Sequence, residues 1–100
     1  MMNQVLELIL NSVREIGEDQ EKDTLLNPNE DTRLFGENLD SMGIVFLIAD
    51  LESKISETFN LQIVLADERA MSQKTSPFRN VKTLVKYIHM LITEEEAKTN

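Results

Sequence analysis

The sequence contains no cysteine, so no disulfide staples the fold and no thiolate can bind zinc. Stability must come from apolar packing, and any thiol chemistry must be imported. Basic residues are scarce, 10 against 18 acidic ones, which argues against nucleic acid as a partner and favours basic partner surfaces. No apolar run approaches a membrane span. No cationic stretch precedes the first apolar residues, and Glu7 interrupts them, which argues against a secretory signal. The expectation is a soluble, cytoplasmic, monomeric protein with no stable membrane insertion. His89 is the single histidine, and no nucleophile elbow surrounds Ser41, which argues against a serine hydrolase. No internal repeat or low-complexity block occurs.

What is present fits one small domain: 100 residues, 41% of them hydrophobic, leave no room for a second core. Charge is unevenly spread. Residues 1 to 68 hold 15 acidic and four basic side chains, whereas residues 69 to 93 hold five basic and none acidic. We expect a domain over residues 1–93. In the tail 94–100, Glu94, Glu95 and Glu96 meet the negative end of a helix dipole, and we expect this tail to fray.

Hydrophobic periodicity places the elements. Val5, Leu6, Ile9, Val13 and Ile16 predict a first helix over Gln4 to Ile16, capped by Asn3 and ended by Gly17. Glu18 to Leu39 reads as a long loop, ordered in part because Leu25, Leu26, Leu34, Phe35 and Leu39 can pack across helices. Met42, Val45, Ile48, Leu51, Ile55 and Phe59 predict a second helix over Ser41 to Phe59, with Ser41 or Asp40 as its cap. Asn60 to Leu65 reads as extended, since the chain offers no partner strand. Ala66 to Met71 predicts a short third helix. Asn80 then caps a last helix whose face is Val81, Leu84, Val85, Ile88, Leu91 and Ile92, ending near Leu91 or Ile92.

Ser41 is the candidate functional residue. A helix start presents unpaired N–H groups and a partial positive charge, so a serine there suits a phosphodiester. Serine is also among the best N-caps, and by itself Ser41 would read as a cap.

The segment Leu39-Asp40-Ser41-Met42-Gly43-Ile44-Val45, followed by Leu47-Ile48 and Leu51-Glu52, closely resembles the attachment motif of acyl and peptidyl carrier proteins. The resemblance covers nearly the whole chain, because that family's all-α, four-helix bundle has a long first loop and a short third helix. It implies that Ser41 receives 4′-phosphopantetheine from coenzyme A through a phosphopantetheinyl transferase. The chain would then hold acyl groups as thioesters for acyl-loading, acyl-modifying or acyl-transferring enzymes, and would not itself be an enzyme. Asp40 matches the motif's acidic neighbour, and Met42 replaces its usual leucine, a mild change in volume. Leu47, Leu51, Val85 and Ile88 are candidates to line a core that opens for an apolar chain.

Departures from the family pattern suggest a specialised lipid, cell-surface or secondary-metabolite pathway rather than housekeeping fatty acid synthesis. The second helix is about one turn longer, Gly43 and Phe46 stand where carboxylates are common, and Lys54 sits among Asp50, Glu52 and Glu57. Phe46 either faces partners, as Asp40 and Met42 would, or packs against Leu34 or Phe35. Residues 66 to 79 also look like those of specialised carriers. An aminoacyl cargo stays open, as does a helical adaptor without carrier function. A calcium-binding reading rests on Asp19, Glu21, Asp23 and Glu30 at loop positions 1, 3, 5 and 12. Against it, Thr24 takes the glycine position and Pro28 enters the loop.

Overall fold

The computed structural model of the chain describes residues 2–65 and 77–99. Among them lie three α-helices, one 3-10 turn over Asp23–Leu25, and no strand. The all-helical class holds. The short helix expected over Ala66 to Met71 lies outside the described residues, so these residues form three helices and not a bundle of four.

Helix α1 runs Met2–Asp19, longer at both ends than the spacing predicts. Asn3 therefore lies inside it and is not a cap, and Gly17 does not end it. The reason is a close approach. A Cβ on Gly17 would stand 2.8 Å from Cβ of Leu25 and 3.1 Å from its carbonyl carbon, so the glycine admits the 3-10 turn against the helix. The chain reverses later, at Glu21, whose φ is 56°. Val5, Ile9, Val13 and Ile16 are buried as expected, with Leu8 beside them and Leu6 only partly covered.

The long loop is ordered by its apolar residues and by hydrogen bonds. Leu25, Leu34 and Leu39 are buried in the core. The loop backbone pairs with the segment before the last helix: Leu34 N–H donates to the Arg79 carbonyl at 2.8 Å and Phe35 N–H to that of Phe78 at 3.1 Å. The same loop satisfies two N–H groups that a helix start leaves without partners. Val81 N–H donates to Thr32 at 3.1 Å and Lys82 N–H to Glu30 at 2.9 Å. This pairing was invisible in the loop's composition because it is backbone to backbone.

Helix α2 runs Ser41–Phe59, the expected span, and closes at Asn60, whose left-handed backbone (φ 56°) lets its N–H donate to Ser56 at 3.0 Å. Its buried face differs from the expected stripe. Ile44, Leu47, Ile48, Leu51 and Ile55 are buried, while Met42 and Val45 are 64% and 60% exposed. Of the stretch Asn60 to Leu65 expected to be extended, Asn60 is left-handed and Leu65 lies in a bend, while residues 61 to 64 belong to no helix or strand; Ile63 and Leu65 are buried.

Helix α3 runs Val81–Thr99. Asn80 caps it as expected: its Oδ1 accepts from Thr83 N–H at 2.8 Å. The six anticipated apolar residues are buried, and Tyr87 joins them, meeting Phe78 edge to face at 6.2 Å between ring centroids and donating to the Leu65 carbonyl at 3.3 Å. The helix continues past Ile92, so the tail expected to fray is helical to Thr99. Lys98 sits in the last turn, where a cation suits the dipole, and its Nζ lies 3.2 Å from Glu95. Residues 93 to 98 leave the core nonetheless, most of them exposed.

Candidate functional site

The end of the long loop sets the start of α2. Leu39 is buried at 2% exposure, and its N–H donates to the Leu34 carbonyl at 2.9 Å, while Gly36 N–H donates to the Leu39 carbonyl at 3.0 Å. This small turn fixes Asp40 and Ser41 at the mouth of the helix. Leu39 also sets the helix's rotation. A Cβ on Gly43 would lie 3.0 Å from Leu39 Cδ2, so Gly43 packs inward beneath Leu39 and turns Met42 out.

Asp40 is the N-cap. Its backbone is extended and its Oδ1 accepts from Gly43 N–H at 2.9 Å, while its carbonyl accepts from Ile44 N–H at 3.0 Å. Ser41 is the first helical residue and is exposed. Among the described residues its hydroxyl has no hydrogen-bond partner. The sequence left the capping role open between these two residues, and the structure assigns it to Asp40.

Beside Ser41 lies an open depression of about 400 Å³ whose walls include Gln20, Lys22, Phe35, Glu37 and Asn38. The Asn38 side chain is held by two bonds: its Oδ1 accepts from Thr24 Oγ1 at 2.7 Å, and its Nδ2 donates to the Arg33 carbonyl at 2.6 Å. Phe46 is 56% exposed, so it faces outward and does not pack under the loop. On its α1 side it borders a second depression of about 430 Å³ with Ile16, Asp19 and Asp50. Val45, read from the sequence as core, joins Met42 and Phe46 on the exposed face. The uncharged run from Ser41 to Ala49 was the one signal for this, since such a run leaves both helix faces apolar.

Lys54 ties α1 to α2. Its Nζ lies 2.8 Å from Glu15 Oε2, 2.8 Å from Asp50 Oδ2 and 2.9 Å from the buried Ser12 hydroxyl. Burial opposes the charge on both Asp50 and Lys54, but their contacts outweigh it. Hydrogen bonds from Lys54 and Ser12 and the charge of Lys54 hold the Asp50 carboxyl below its ordinary value. Bonds to Asp50 and Glu15 hold the Lys54 ammonium above its own. Glu52 also turns inward, its Oε2 accepting from Leu65 N–H at 2.8 Å.

Among the described residues, Asp19, Glu21, Asp23 and Glu30 included, no group of three or more acidic or histidine side chains converges in a way that could hold a metal ion. His89 is half-buried on α3 and does not line the depression beside Ser41. Leu47, Leu51, Val85 and Ile88 are all buried in the core. No helix of the described residues is long and apolar enough to cross a membrane. In comparisons with known proteins, no family model, no curated protein and no solved structure matches the chain.

Proposed function

We propose that the chain is an acyl carrier protein whose Ser41 bears 4′-phosphopantetheine. The observation that carries this reading is the division of labour at the start of α2: Asp40 makes the cap bond, so Ser41 is exposed at a positively polarised helix end with its hydroxyl uncommitted. A serine needed as the cap would spend its oxygen on the backbone, whereas this oxygen is open to an approaching phosphoryl group. The residues present suit the group, because the attachment needs one accessible hydroxyl and a site tolerant of negative charge. Once attached, the arm supplies a flexible thiol on which acyl groups are held, a chemistry that a chain without cysteine lacks.

In this reading the protein supplies the address and is the substrate of enzymes: a phosphopantetheinyl transferase first, then enzymes that load, modify or transfer the acyl group. Asp40 holds the attachment turn, while Met42 and Phe46 present the surface that partners meet. The finer placement in a specialised lipid, cell-surface or secondary-metabolite pathway is supported by the apolar character of that surface. Incubation with coenzyme A and a broad-specificity phosphopantetheinyl transferase should add one phosphopantetheine by intact mass, and Ser41→Ala should abolish the addition. An unmodified wild-type chain beside a modified control carrier would sink the reading and leave a helical adaptor in its place.

A further inference from the structure

We infer that the α2 face beside Ser41 is docked by an uncharged apolar patch on the modifying enzyme and not by a basic one, an inference that rests on the carrier reading above. Met42, Val45 and Phe46, at 64%, 60% and 56% exposure, lie at three- and four-residue spacing and so share one helix face, which the exposed Ala49 extends. Phe35, 39% exposed, borders the depression on the other side of Ser41. On a chain of net charge −8, a cluster of large exposed apolar side chains around the attachment point is the feature that marks an interaction surface.

The carboxylates of α2 do not compete for the role, because the fold already uses them. Asp40 is bound to Gly43 N–H at 2.9 Å. Asp50 is bound to Lys54 at 2.8 Å, and Glu15 on α1 shares that ammonium. Glu52 is bound to Leu65 N–H at 2.8 Å. Glu57 is exposed, but sixteen residues along a helix place it about 24 Å from Ser41. Glu37 and Asp40 border the depression beside Ser41 together with Lys22, and Asp19 borders the one beside Phe46, so these few carboxylates flank the apolar face and lie off it. A basic partner would meet carboxylates already engaged in a cap, an ion pair or a backbone bond. An apolar partner meets Met42, Val45 and Phe46 as they stand.

The test is the salt and mutation dependence of Ser41 modification, measured with coenzyme A and a broad-specificity phosphopantetheinyl transferase. Between 0.05 and 0.5 M NaCl, where contacts between exposed charges are screened, KM for the carrier should change less than about twofold. Phe46→Ala should raise KM roughly tenfold with kcat nearly unchanged, the signature of a lost aromatic anchor, and Glu37→Gln should leave both unchanged. Phe46 is exposed, so an unaltered unfolding midpoint in Phe46→Ala will separate docking from stability. A KM that climbs tenfold or more with salt, or that responds to Glu37→Gln and not to Phe46→Ala, overturns the inference while leaving Ser41 as the attachment residue. No modification of the wild-type chain at any salt overturns both. A concentration-dependent dimer lost in Phe46→Ala would assign the patch to a second copy of the chain and overturn the enzyme assignment.

Discussion

Asp40 and Ser41 both belong to the residue types that favour helix starts, and adjacent side chains cannot both take the N-cap position. Asp40 takes it with its 2.9 Å bond to Gly43 N–H. Truncating each separates cap from attachment. Asp40→Ala should cost about 1 kcal/mol, as lost N-caps typically do, whereas Ser41→Ala should change stability by less than about 0.5 kcal/mol, since the exposed hydroxyl bonds nothing among the described residues. Urea unfolding of the two variants checks this, and the reverse order would return the cap to Ser41. Gly17 offers a second comparison at this scale. An exposed helical Gly→Ala change gains about 1 kcal/mol from propensity, but a Cβ at Gly17 meets Leu25 at 2.8 Å. Overpacking of that kind costs about 1–3 kcal/mol, and the contact includes backbone, so Gly17→Ala should destabilise the fold, with a lower urea midpoint.

At the scale of elements, the pairing of α1 with α2 combines an apolar seam with one buried-edge ion cluster. The Asp50 carboxyl is held below its ordinary value, so its contribution to stability is present above the unfolded pKa of about 3.9 and is lost as pH falls through the lower folded value. The Lys54 ammonium is held above its own, so its contribution is present below the unfolded value of about 10.4 and is lost as pH rises through the higher folded one. Between these limits the clamp is complete. Lys54→Met should therefore lower stability at neutral pH by about 1 kcal/mol, the order of a partly exposed ion cluster. It should also flatten the acid limb of the stability curve measured by urea titration from pH 7 to pH 3. An unchanged acid limb would show that Asp50 draws its stabilisation from elsewhere.

The same elements show what sequence can carry. The bounds of α2 were legible because Asp40, the apolar periodicity and Asn60 mark them, and the buried face of α3 was legible because polar residues such as Lys82, Lys86 and His89 break its pattern. The rotation of α2 was not. From Ser41 to Ala49 no charge marks the outer face, so the stripe through Met42 and Val45 and the stripe through Ile44, Leu47 and Ile48 are equally good patterns, and the choice falls to Leu39 packing over Gly43, a contact between loop and helix. Gly17 misled for a related reason: glycine for a left-handed cap and glycine for close approach look alike in sequence. At the site, Ser41 and Asp40 were legible and their division of roles was not. Lys54 was visible only as a cation among acids, because its partners Ser12 and Glu15 lie on another helix.

At the scale of the whole molecule, α3 runs further than its buried face among the described residues. Its buried residues end at Ile92, yet the helix runs to Thr99, and residues 93 to 98 are mostly exposed, with Lys98 and Glu95 3.2 Å apart. A helix segment that buries little apolar surface adds little stability, because isolated helical turns are marginal in water and exposed ion pairs at i,i+3 spacing contribute only a few tenths of a kcal/mol. Removing residues 94–100 should therefore lower far-ultraviolet circular dichroism by the signal of about one to two helical turns and change unfolding stability by less than about 1 kcal/mol. It also removes three of the 18 acidic side chains and one of the ten basic ones, which eases self-repulsion in a strongly acidic chain. The charge term and the lost helix oppose one another, which is why the net change is small. A stability loss of 2 kcal/mol or more on truncation would mean that the last turns pack on the body, and would place the domain's end beyond residue 93.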